Sequence, residues 1–210
     1  MIELFKHILH LDFEWLFQQY DTAVYLILFL VIFIETGLVI MPFLPGDSLL
    51  FTAGLFARMG YLDLGLLMLL LFIAAVAGDT CNYFIGKKLG SRVVKLKFRG
   101  KPMVKQEYLD KTHSFYEKYG PKTIILARFV PIVRTFAPFV AGIAEMKYRV
   151  FSIYNFIGGA IWIVSLMLAG YFLGHFEIIR KNIETVALII IFISILPIIV
   201  EVIKKRSANT

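Results

Sequence analysis

Four ionisable side chains fall inside apolar stretches of this chain, two acids early and two arginines late. Glu35 interrupts an otherwise uncharged run and is followed by Pro42, Pro45, Gly46 and Asp47. Arg128 and Arg134 bracket Pro131 in a second apolar stretch that continues through Pro138 to Gly142. A charge at bilayer depth costs on the order of 3 kcal/mol or more, so it persists where it faces a partner, a cavity or a substrate. Segments broken by proline and glycine are tolerated at that depth only inside protein or beside water. Together the two features point to a translocation site.

The residue types allow more than one chemistry at each point. Arginine keeps its proton at any accessible pH, so a buried Arg128 or Arg134 must be matched by an anion. The guanidinium fork suits phosphate and carboxylate equally. Phosphate binding is therefore one reading, and an internal salt bridge to Glu35 or Asp47 is the other. Glu35 and Asp47 could bind protons, since burial raises a carboxylate pKa, or serve as counter-ions to the arginines. Asp47, directly after Pro45-Gly46, could also cap a helix that starts near Ser48.

A further constellation is Gly78-Asp79-x-x-x-Tyr83-x-x-Gly86-x-x-x-Gly90. On a helix Asp79, Tyr83 and Gly86 share a face where glycines permit close approach, so a packing role is the default. Asn155, Gly159 and Trp162 share a face of a later apolar run, again with packing expected. Asp79, Tyr83, Asn155 and Trp162 are secondary site candidates. Pro42, Pro45, Gly46, Pro131, Pro138 and Gly142 are expected to shape the broken segments. Cys81 reads as filler and His113 as solvated, and no zinc spacing appears, so no metal or cofactor is expected.

The elements that carry these residues are membrane elements. The chain has 210 residues, of which 59% are hydrophobic and 20 are Phe, with a mean hydropathy of +0.78. A soluble domain of this length could not hide that much apolar surface. The net charge of +7 lies beside apolar spans, which favours anionic lipid headgroups at the cytoplasmic face over nucleic acid. A single cysteine excludes an internal disulfide, and Glu3, Asp12 and Glu14 break any signal-peptide core.

Four stretches are expected to cross the membrane: Ala23 to Met41, Leu64 to Gly86, Val150 to Phe176 and Thr185 to Val200. Residues 42–57 and 123–144 are too short and too broken, and fit re-entrant helical hairpins. Residues 1–22 read as an interfacial amphipathic helix, 23–176 as the membrane core, and 177–210 as a last transmembrane helix with a basic tail. The loop 87–122 carries eleven Lys and Arg against three acids. With both hairpins re-entrant, that loop and both termini lie on one side, opposite only Arg58, Arg180 and Lys181. The positive-inside rule makes the basic side cytoplasmic. An offset of 88 also aligns Phe51, Ala53-Gly54 with Phe139, Ala141-Gly142, and Tyr83-Phe84-Ile85-Gly86 with Tyr171-Phe172-Leu173-Gly174. Since the topology sets the two hairpins on opposite faces, the expected fold is an all-α polytopic inverted repeat.

Three ordered motifs then carry a family resemblance. Glu35 with Pro42-Phe43-Leu44-Pro45-Gly46-Asp47 and Ala53-Gly54 resembles the first signature of the DedA, or VTT-domain, family. Gly78-Asp79 through Gly90 resembles the second. Arg128-Phe129-x-Pro131-x-x-Arg134-x-x-x-Pro138-x-x-Ala141-Gly142-x-x-x-Met146, then Phe151, Asn155, Gly159 and Trp162, resembles the third, with Ala127 where many members have glycine. The resemblance implies a bacterial inner-membrane protein with two opposed re-entrant loops. It implies a role in returning undecaprenyl phosphate from the outer leaflet, dependent on proton-motive force, whereas eukaryotic relatives scramble phospholipids. Glu35, Asp47, Arg128 and Arg134 match the positions treated as functional there. The expected function is thus a lipid-phosphate translocase acting on polyprenyl phosphate or phospholipid. The alternatives are a proton-coupled solute or cation antiporter, a general scramblase and, least, a lipid phosphatase, which lacks a Ser, Cys or His placed as nucleophile and base.

Overall fold

The structure is a computed structural model that describes residues 13–38, 46–95, 97–98, 101–102, 106–177, 179 and 186. The expected last span, Thr185 to Val200, and the prolines Pro42 and Pro45 lie outside the described residues, apart from residue 186. The first helix, α1, runs Phe13–Gly37. It passes unbroken through residue 22, where an interfacial helix was expected to end and a separate span to begin. No charge or helix breaker stands between Thr22 and Ile34 to divide it. Glu35 and Thr36 form its last turn.

Helix α2, Gly46–Arg58, carries Asp47 in its first turn and Arg58 in its last, each complementing the helix dipole. Gly60 turns the chain with φ +86°, and the Asp63 carboxylate accepts a hydrogen bond from the Leu66 amide at 2.6 Å. That cap starts α3, Leu64–Lys95, which continues beyond the expected end at Gly86. A two-residue antiparallel pair follows: β1, Lys97–Phe98, and β2, Lys101–Pro102. The basic loop then folds into α4, Gln106–Tyr119, and a single 3-10 turn, Gly120–Lys122.

The broken stretch 123–144 forms two helices, α5, Thr123–Ala127, and α6, Pro131–Ile143. Pro131 explains the interruption. The residue before a proline is driven out of the helical region, and Val130 is extended at φ −120°, ψ 104°. The amides of Arg128, Phe129 and Val130 instead close short turns onto Ile125, Leu126 and Ala127. Arg128 thereby ends one helix and Arg134 sits in the first turns of the next. Helix α7, Tyr148–Leu173, completes the set.

Among the described residues two segments, Leu64–Leu89 and Tyr148–Leu173, are long and apolar enough to cross a membrane, against about four expected. The apolar part of α1, Thr22–Gly37, and Val133–Ile143 are shorter.

The chain divides into two compact units. One holds the described residues 13–28, 46–68 and 165–177. There a Cβ added to Gly54 would collide with the Met167 carbonyl, and one added to Gly170 with the Phe51 carbonyl. The other unit holds 29–38 and 69–164. There a Cβ on Gly142 would collide with the Tyr83 carbonyl, and one on Gly86 with the Phe139 carbonyl. The same reciprocal contact, with the same three-residue steps, occurs once in each unit. It matches Gly54 to Gly142 as the offset of 88 does, but it matches Gly86 to Gly170. The sequence alignment had matched Gly86 to Gly174, one helical turn later.

Candidate functional site

In the second unit, α1, α3, α6 and α7 converge on five buried polar side chains. Arg134 donates through Nη2 to Oε1 of Glu35, and Arg128 donates through Nη2 to Oδ2 of Asp79. The Glu35 side chain is 1% exposed and that of Arg128 is 2% exposed. At that burial, desolvation cancels much of the attraction unless further hydrogen bonds complete the shells. Arg128 Nη2 also donates to Oδ1 of Asn155 at 2.6 Å. The Asn155 amide donates in turn to the Val76 carbonyl at 3.1 Å, which fixes its oxygen toward the arginine.

Trp162 joins the two pairs. Its ring lies 5.6 Å from the Arg128 guanidinium carbon and 5.1 Å from that of Arg134. A tryptophan face attracts a cation most strongly when both are out of water, so a single ring offsets part of the burial cost of two charges. Space for Arg128 comes from glycine: a Cβ on Gly158 would stand 3.2 Å from its Cδ and Nε, and one on Gly159 3.5 Å from Nη2.

Glu35 reaches this position because α1 and α3 touch backbone to backbone, with Gly37 against Gly78. Asn82, fully buried, ties the elements together. It donates at 3.1 Å to the Thr36 carbonyl of α1 and at 2.8 Å to the Thr135 carbonyl of α6. Pro138 lies inside α6, where it denies the Arg134 carbonyl its usual helical donor. The Asn82 bond supports the adjoining carbonyl in that weakened turn.

Several expectations change. The pairing of Glu35 with an arginine stands, but the acid on Arg128 is Asp79, not Asp47. Asp79, Asn155 and Trp162, with packing as their default role, are direct partners of the arginines. Asp47 lies in the other unit, half-buried in the first turn of α2. Tyr83 is not among Arg128's partners: its hydroxyl donates to the Met146 carbonyl and its ring stacks on Phe151 at 4.6 Å. Asn82 and Gly158 went unnoticed in the sequence. Asn82 could have been found three residues after Asp79, on the same helical face.

Arg128 also has capacity to spare. Its Nη2 is fully used, whereas Nε and Nη1 are buried with no hydrogen-bond partner. Buried polar atoms of this kind are rare in folded proteins, because each forfeits about 1–3 kcal/mol of hydration. The guanidinium is anchored through Nη2 alone, and Gly158 lies against its Nε edge.

Residues 44–172 match the VTT domain. Protein DedA of Escherichia coli K12 is 48% identical over 209 residues, covering 98% of this chain and 94% of that protein. An uncharacterised membrane protein of Mycobacterium tuberculosis H37Rv is 43% identical, covering 81% of this chain and 75% of its own length. The inner membrane protein YqjA of Escherichia coli K12 is 33% identical, covering 75% of this chain and 70% of its own length. No solved structure matches.

Proposed function

The chain belongs to the DedA family of VTT-domain membrane proteins, and from that premise and the buried arginines we propose that it is a lipid-phosphate translocase. Its substrate is a polyprenyl phosphate, undecaprenyl phosphate in the first instance, returned from the outer to the cytoplasmic leaflet. The observation that carries this reading is Arg128, a buried guanidinium held by Asp79 and Asn155 with Nε and Nη1 left to donate. An anionic head cannot enter hydrocarbon without compensation. A buried guanidinium with donors unspent is suited to a phosphate, and Arg134 supplies the second charge.

In this mechanism the acids hold the arginines between substrates. A phosphate takes over one guanidinium, its carboxylate gains a proton, and loss of that proton on the cytoplasmic side restores the pair and releases the lipid. Glu35 and Asp79 serve this exchange, and Asp47 acts in the other unit. No covalent bond is made or broken in this exchange. The two units act as an inverted repeat of opposed re-entrant hairpins, with both termini cytoplasmic; the matching glycine contacts support the repeat, and the asymmetry of basic residues supports the orientation. The antiporter alternative needs carboxylates available to a cation, and the pairing of Glu35 and Asp79 with arginines weighs against it.

The test is reconstitution of the purified protein with fluorescent phospholipid and polyprenyl phosphate, following which lipid changes leaflet. Saturable movement of polyprenyl phosphate is expected. Equal movement of every phospholipid would make the protein a general scramblase, and cation movement without lipid an antiporter.

A further inference from the structure

We infer that Arg58, Tyr171 and His175 form a second phosphate site, at the membrane surface, that collects a lipid headgroup. All three lie in the first unit, at the ends of α2 and α7. The choice of ligand rests on the lipid-phosphate reading above, under whose topology this end faces outward, where the lipid starts.

The site is assembled by glycines. Gly54 and Gly170 let α2 and α7 approach backbone to backbone, and a Cβ on Gly174 would stand only 3.0 Å from Cβ of Arg58 and 3.1 Å from its Cγ. The arginine stem therefore lies across the end of α7. Its guanidinium carbon sits 5.2 Å from the centre of the Tyr171 ring. Nη1 donates to the Tyr171 hydroxyl at 3.2 Å, and Nη2 lies 2.7 Å from Nδ1 of His175. Arginine has no acceptor, so Nδ1 must accept and the imidazole carries its proton on Nε2.

None of these partners is an acid. Arg58 is a part-exposed, permanent charge whose side-chain partners among the described residues are Tyr171 and His175. The remaining guanidinium N–H groups, the Tyr171 hydroxyl proton and His175 Nε2–H are donors. Phe172 and Phe176, 65% and 60% exposed, flank Tyr171 and His175 in the chain. Exposed aromatic rings beside a cation mark the headgroup level of a membrane, which favours a lipid phosphate over a free one. Bracing α2 against α7 accounts for the Tyr171 contact. It does not require His175 on the second guanidinium nitrogen, nor the exposed rings of Phe172 and Phe176 beside the cation.

The experiment uses the full chain in maltoside detergent, which contains no phosphate, titrated calorimetrically with dodecyl phosphate and with inorganic phosphate. Arg58→Gln should weaken one component of dodecyl phosphate binding roughly tenfold, the value of a charge-assisted hydrogen-bond pair. Arg58→Lys should lose nearly as much, and His175→Gln about threefold, with Tm close to the parent protein's. Inorganic phosphate should bind at least tenfold more weakly; equal binding would overturn the lipid assignment. Dodecyl phosphate binding untouched by Arg58→Gln and His175→Gln would reduce the cluster to a brace. If Arg58→Gln fails to fold, Arg58→Lys and His175→Gln decide, the latter on an exposed side chain. Arg128→Lys reports on the buried site alone, so failure of either site is read separately.

Discussion

Arg128 and Arg134 are both buried, and lysine would fail at Arg128 for reasons visible in its bonds. A lysine there could keep one contact to Asp79, but it has no planar group to serve Asn155, face Trp162 and still keep donors to spare. Arg128→Lys is expected to lower lipid movement roughly tenfold or more with near-normal folded yield. Full activity would mean that charge alone suffices. Asp79→Asn is the complementary test, because it leaves the Arg128 charge buried without its carboxylate. A loss of about 3–5 kcal/mol is expected, read as lower yield and Tm in detergent, and the double variant Asp79→Asn/Arg128→Gln should recover much of it. Glu35→Gln separates the two duties of that acid. A counter-ion role lowers folded yield, whereas proton exchange abolishes gradient-driven transport in protein that still folds. Normal yield with undiminished gradient-driven transport would remove Glu35 from the mechanism.

At the scale of elements, the glycine contacts carry the clearest prediction. Gly142→Ala would push a methyl group into the Tyr83 carbonyl, and Gly54→Ala would do the same at Met167. Each should cost about 1–3 kcal/mol or more, since neither helix can retreat without opening its neighbours. Gly60→Ala, in a turn with nothing near its Cβ position, is the control for space, although its positive φ adds some strain. The sequence displayed these elements unevenly. Long apolar runs announced α3 and α7, and Pro131 announced the break that separates Arg128 from Arg134. The partner of Arg128 was hidden, because Asp79 and Asp47 are both acids beside glycine and the choice depends on helix rotation. The registry of the repeat was hidden too. Tyr171-Phe172-Leu173-Gly174 resembles Tyr83-Phe84-Ile85-Gly86 in composition, yet the helices pack through Gly170, a turn away. Backbone approach selects whichever glycine faces the neighbour, and a motif match carries no such direction.

For the whole molecule, orientation can be checked without transport. A reporter fused after Gly60 should read outside, and reporters near Lys101 and after Arg206 should read cytoplasmic. An outside signal at Lys101 would sink the proposed two-hairpin topology and, with it, the proposed inverted repeat. The position of Trp162 has a consequence of another kind. The chain contains only two tryptophans, Trp15 and Trp162, so Trp15→Phe leaves one indole, set close to both buried cations. Its excited state is more polar than its ground state, and its emission energy depends on the local electric field. An anion arriving at the guanidiniums alters that field. Under the proposed function the protein thus contains its own optical sensor of occupancy, readable in detergent without any label.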